Sequence, residues 1–271
     1  MDEPLTVSKK RPMDIFLYGL VYLCAGLSVA LLVVLLAYVL IKGIGQVNWQ
    51  FLTTVTSVLK GTVGIAGNLL NTLIITVGGT VGHVILASLA AYPLSKHRFK
   101  GRDTLFNLVV LSMMFSWTVT QIPNYMIISW LGINNTYLAL ILPACSYGMG
   151  LYLMKQFIDQ LPDSLMESAR LDGANEFRVY MTIVMPNVKP AWLTLAIFQF
   201  QQMWGNTGAM FLRDEELKPL QFALQQIAAG GTARAGASAA VTFIIAAIPI
   251  TFFLICQSNV LETMTTSGMK E

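Results

Sequence analysis

Apolar residues in this chain of 271 stand in long unbroken runs, at about 15–41, 68–94, 105–127, 136–157, 184–203 and 237–260. A hydrocarbon core is crossed by about 20 apolar residues of α-helix, so the pattern predicts six transmembrane helices. The expected fold class is all-α: a polytopic membrane protein whose spans are joined by short loops. Gly78, Gly79, Gly82, Pro123, Pro143 and Pro249 fall inside the runs, where neighbouring helices permit close approach or take up freed backbone groups. Lys9, Lys10 and Arg11 precede the first run, which is longer than the roughly 7–15 residues of a signal-peptide core and is read as a retained span. The expected organisation is a tail over 1–14, a first helix and external loop over 15–66, a core of five further helices over 67–262, and a tail over 263–271.

Composition agrees with the pattern. Hydrophobic residues make up 55% of the chain and charged residues 11%, against about 25% charged in a soluble domain. A net charge of +3, with no interleaved basic and aromatic residues, excludes a nucleic-acid partner. Cys24, Cys145 and Cys256 each stand alone in an apolar run, which makes neither a disulfide framework nor a metal-ligand spacing. No cofactor or metal is expected.

Charge sets the orientation. Twelve of the seventeen basic residues fall on the side of the N-terminus, among them Lys96, Arg98, Lys100, Arg102, Lys155, Arg170, Arg178 and Lys189, and five on the other, namely Lys42, Lys60, Arg213, Lys218 and Arg234. Positive residues are retained inside, so both termini and the polar segment 158–181 are expected in the cytoplasm, and the segment 205–236 outside.

The inner segment carries two local signals. Ser164 followed by Glu167 matches a capping box, and Gly173 suits the left-handed residue that closes a helix. A helix of two to three turns follows, with Leu165, Met166 and Ala169 close together on one face. So short a helix is unstable alone in water and must dock on something. Within it, Glu167-Ser168-Ala169, three residues, Gly173, nine residues, Ile183, one residue, Met185-Pro186 resembles the E-A-A-x3-G-x9-I-x-L-P motif of ABC importer permeases. Every spacing holds; Ser168 and Met185 depart from the commonest residues. The resemblance implies that Glu167, Ser168, Ala169 and Gly173 form a coupling helix seated on a cytoplasmic ABC ATPase dimer. The chain has no G-x4-G-K-[ST] phosphate loop, so the ATPase is a separate protein and this chain is not itself an enzyme.

Asn71-Thr72-Leu73, Ala90-Ala91-Tyr92-Pro93-Leu94-Ser95, Ile122-Pro123-Asn124-Tyr125, Leu131-Gly132-Ile133-Asn134-Asn135-Thr136 and the segment from Phe211 to Leu220 are similar to the maltose-type carbohydrate permeases. That resemblance implies a bacterial inner-membrane protein surrounded by lipid, a second permease expected to be a different chain, an extracytoplasmic solute-binding protein, and sugar as cargo. The stretch 42–65 looks more like phosphate-importer permeases, which keeps phosphate as the second reading. Polar and aromatic residues in or near the spans lean toward sugar: Gln121, Asn124, Tyr125, Tyr147, Gln199, Gln201, Gln202, Trp204 and Asn206. Amides, hydroxyls and rings recognise a neutral polyol, whereas an anion path would use Arg, Lys or helix N-termini. The spans contain no central Asp or Glu for ion coupling. His83, the one histidine inside a span, has no companion set for catalysis and is read as a packing residue.

Overall fold

The computed structural model describes residues 64–229 and 235–268, together with Ala37 and Ile41. Almost all of the expected first span, with the tail 1–14 and the stretch 42–63, lies outside the described residues. The described chain is helical, with no strand.

The central element is α1 (Ile65–Lys96), which runs without a break until Pro93 and the extended cap His97 end it. Its buried face is partly polar: Asn68, Thr72, Thr76, Thr80 and His83 follow one another at three- and four-residue steps, and all are buried. Polar groups placed so in a membrane helix face the protein interior. Its opposite face, including Leu70, Val77, Val81 and Leu86, is exposed and apolar.

The expected span 105–127 is carried by two helices, α2 (Arg102–Ser112) and α3 (Trp117–Trp130). The run 136–157 becomes α4 (Leu138–Cys145) and α5 (Gly148–Asp159), interrupted at Ser146 and Tyr147. After a short helix α6 (Asp163–Leu171) comes α7 (Glu176–Val179), a π-helical turn over Tyr180–Val184, and α8 (Met185–Asn187). The chain then bends by 77° into α9 (Lys189–Trp204). Pro190 explains the bend, because it has no N–H for the preceding turn and its ring crowds the carbonyl there. Trp192 Nε1 donates to the Met185 carbonyl at 3.2 Å, satisfying a group freed at the break. The last helices are α10 (Leu220–Ala228) and α11 (Ala235–Gly268), so the expected tail from 263 is still helical as far as Gly268.

By length and hydropathy, three described helices can cross a membrane, Ile65–Lys96, Leu138–Asp159 and Gly236–Cys256, and a fourth if the bent pair α7–α9 counts as one span. α1 packs against α5, α9, α4 and α10, and α11 lies on α9 and α10. Three apolar clusters line this axis. One surrounds Ala91, Met154, Ile158, Met166, Tyr180 and Val184 at the Lys96 end. A second joins Ile75, Ile128, Leu140, Met203 and Phe211, and a third joins Ile65 to Leu220, Ile227 and Val241 at the opposite end.

Candidate functional site

The helix expected to couple, α6, is built differently at its start from the sequence reading. Its first residue is Asp163 and its cap is Pro162 in extended conformation, with no side chain bonded to the cap amides. The capping box from Ser164 to Glu167 is therefore not formed. Pro162 sets the extended backbone that enters a helix, and the Ser164 carbonyl instead accepts a bond of 2.9 Å from Ser168 Oγ. The end of the helix is as expected: Gly173 has φ +82°. Gly173 N donates to Arg170 O and Ala174 N to Ala169 O, both at 3.0 Å. These are the two bonds of a Schellman motif.

The face of α6 also differs from expectation. Met166 is buried and Ala169 packs on the same cluster, whereas Leu165 is 44% exposed. Leu171 is 89% and Phe177 63% exposed, and Glu167, Ser168 and Gly173 are exposed beside them. The helix thus has one face against its own domain and a second, apolar and acidic face that is exposed among the described residues.

Both ends of α6 are tied to the end of α1. Lys96 Nζ, its side chain only 7% exposed, donates to Leu161 O at 2.5 Å and to Asp163 Oδ1 at 2.8 Å. The hydrogen bond and charge of Lys96 hold the Asp163 carboxyl below the usual carboxylate range. Beyond α6, Glu176 takes a fork from Arg170, Nε to Oε1 at 2.8 Å and Nη2 to Oε2 at 3.2 Å. The bond to Glu176 raises the Arg170 pKa further. The Tyr92 hydroxyl donates to Glu176 Oε2 at 2.8 Å, and His97 Nε2 lies 3.4 Å from the same oxygen. Glu176 was not among the residues singled out from the sequence. The only local signal is its place behind the Asn175 cap, whose side chain accepts from Arg178 N.

The polar residues expected along a substrate path divide into two groups. Tyr147, Gln199, Gln201 and Gln202 line one cavity of about 470 Å³, together with Met149, Leu153, Leu195 and Phe198. It carries no ionised side chain. Gln199 Nε2 is anchored to Ala144 O at 3.3 Å, while Gln201 and Gln202 are exposed. The others lie elsewhere. Trp204 is buried, stacked on Phe200 at 5.5 Å, and donates to Ile245 O at 2.9 Å; it packs α9 on α11. Asn206 accepts from Gly208 N within a turn, Tyr125 packs near Phe211 at 6.1 Å, and Gln121 and Asn124 sit half-buried on α3. Volume and side-chain chemistry distinguish the first group, and sequence proximity to a span end could not.

At the opposite end of α1 the segment 205–220 is held by side chains, mostly through its backbone. Asn71 Nδ2 donates to the carbonyls of Glu216 and Lys218, and Tyr137 donates to Asn71 Oδ1. Asn135, in a left-handed conformation at φ 62°, accepts from Arg213 N and Asp214 N and donates to Asp214 Oδ2 at 2.7 Å.

Comparison with known proteins agrees with the helical fold. Residues 83–264 match the family described as binding-protein-dependent transport system inner membrane component. The chain is 32% identical over 228 residues, 81% of its length and 79% of the relative's, to the polygalacturonan/rhamnogalacturonan transport system permease protein YtcP of Bacillus subtilis. It is 39% identical to protein LplC of the same organism over 57% of its own length, and there it spans only 52% of the relative. Its fold matches a chain of a bacterial ABC transporter involved in import of the acidic polysaccharide alginate, at a TM-score of 0.75 and 20% identity, covering 93% of this chain and 99% of that one.

Proposed function

The chain belongs to the family of binding-protein-dependent transport system inner membrane components, and on that premise we propose that it is one of two permeases forming the path of a carbohydrate importer driven by a separate ATPase. It lines the path and performs no catalysis. The observation that carries the cargo is the cavity between Tyr147, Gln199, Gln201 and Gln202, whose lining has amides and a phenol and no ionised group. Such a lining suits a polyol, which offers hydroxyls and apolar ring faces, and gives a phosphate no counter-charge. The name of YtcP, a polygalacturonan/rhamnogalacturonan permease, supports carbohydrate as the class.

The exposed face of α6 would seat on the ATPase, with Leu165, Leu171 and Phe177 filling apolar grooves and Glu167 meeting a basic residue. The basic residues around Lys96, Arg98, Lys100 and Arg170 favour a cytoplasmic position for that end, hence cytoplasmic termini. Exposed apolar faces of α1, α2 and α3 leave area for lipid and for the second permease. The segment Arg213 to Lys218, held by Asn135 and Asn71, is the surface offered to an extracytoplasmic binding protein.

Uptake into proteoliposomes containing both permeases, the ATPase and the binding protein tests the cargo. Labelled oligosaccharide should accumulate with ATP and should not be competed by phosphate. Gln202→Ala should lower uptake several-fold with the ATPase still bound. Phosphate uptake in place of sugar, or unaltered sugar uptake by Gln202→Ala, Gln199→Ala and Tyr147→Ala alike, would sink this reading.

A further inference from the structure

Glu176 gathers one element from each side of a junction. Its carboxylate binds Arg170, on the last turn of α6, through both oxygens, and it also receives the Tyr92 hydroxyl and faces His97, at the end of α1. The rings of Tyr92 and His97 meet edge to face at 5.3 Å, so the two α1 partners brace each other. Glu176 is thus the hub through which the C-terminal end of α6 and the end of α1 share one carboxylate. At the other end of α6, Lys96 makes the matching tie to Leu161 O and Asp163. Between the two ties, only Met166 and Ala169 of the helix face the core, and a helix of nine residues has little stability of its own.

We propose that Glu176 is a positioning residue that clamps the coupling helix to α1, so that a push on α6 moves the transmembrane domain instead of being lost in rocking of the helix. This rests on the reading of α6 as the ATPase-docking element. A planar guanidinium held by both carboxylate oxygens resists rotation as well as separation. The Tyr92 hydroxyl then carries that orientation into the long helix, whose other end holds the segment near Glu216 and Lys218 through Asn71. The clamp therefore joins the ATPase-facing and binding-protein-facing ends through a single continuous element.

The assembled transporter carrying Glu176→Gln, Arg170→Gln, or both tests the clamp by amide hydrogen exchange and by ATP turnover. In each single variant, exchange over residues 163–174 should quicken by about three- to tenfold, since a half-exposed charge-assisted fork is lost. The double variant should exchange no faster than the faster single one, because both substitutions break the same contact. ATP turnover stimulated by the sugar-loaded binding protein should fall several-fold while the ATPase still co-purifies. Tyr92→Phe, which leaves the fork intact, should give a smaller change in the same direction and keeps the test open if Glu176→Gln fails to insert. Unchanged exchange in Glu176→Gln, additive effects in the double variant, or full stimulation of ATP turnover in both single variants would overturn the clamp. The docking reading fails by a different result: wild-type recovery of ATPase with Glu167→Ala and Gly173→Val.

Discussion

At Gly150 an added β-carbon would stand 2.2 Å from His83 Nε2 and 2.7 Å from its Cε1. The ring is fully buried and Nδ1 is 3.3 Å from the Cys145 carbonyl, so it has no room to yield. Gly150→Ala should therefore destabilise by about 1–3 kcal/mol, as overpacking does, and lower the thermal unfolding midpoint of the purified chain. His83→Ala in the same chain should restore most of that loss. An additive pair would show that the two residues do not share the contact. Gly173 is a different case, because no atom lies within 4 Å of its would-be side chain and only φ +82° is at stake. Asn tolerates that conformation and β-branched residues do not. ATPase recovered by co-purification should rank Gly173, then Gly173→Asn, then Gly173→Val, and equal recovery by Asn and Val variants would contradict the backbone argument.

Polar side chains add ties between elements at places where helices stop. The break before α9 leaves the Met185 carbonyl to the Trp192 indole. Trp192→Phe keeps the ring packing and removes that bond, at a cost of about 1 kcal/mol, and should lower the unfolding midpoint by a few degrees without changing transport specificity. The loop after α9 depends on Asn135, which combines a left-handed backbone with three bonds to residues 213 and 214. Asn135→Gly keeps the backbone and loses the side-chain bonds, while Asn135→Ala loses both. Sugar-loaded binding protein should stimulate ATP turnover less in the Ala variant than in the Gly variant, and the reverse order would place the loop's role elsewhere.

For the whole molecule, α1 carries a polar stripe inward and an apolar face outward, and its two ends hold the segments that face opposite sides of the membrane in the proposed topology. Cysteines at Ser168 and Asn175, both exposed, in a chain without the three native cysteines, should be labelled only from the cytoplasm. A cysteine at Arg213 should be labelled only from outside. Labelling of positions 168 and 213 from the same side would rule out the twelve-to-five charge argument.

Membrane class, helical fold and the α6 signature were determined by the sequence alone, because long apolar runs can be solvated only by lipid or by one another, and because the Glu167 to Pro186 spacing is a local property. Gly173 belongs here too, since its role follows from its own backbone. Non-local matters were left to the tertiary structure. Pro162 displaced Ser164 as the cap, and burial of Met166 turned Leu165 outward, because packing against α1 chose the face. Trp204 went to the packed interior while Gln199 and Gln202 came to the cavity, a division that depends on where α5 and α11 lie against α9. Glu176 could not be read from sequence because its Tyr92 partner is 84 residues away. A carboxylate next to a helix cap looks like any solvated charge until folding brings an aromatic hydroxyl and a guanidinium to it.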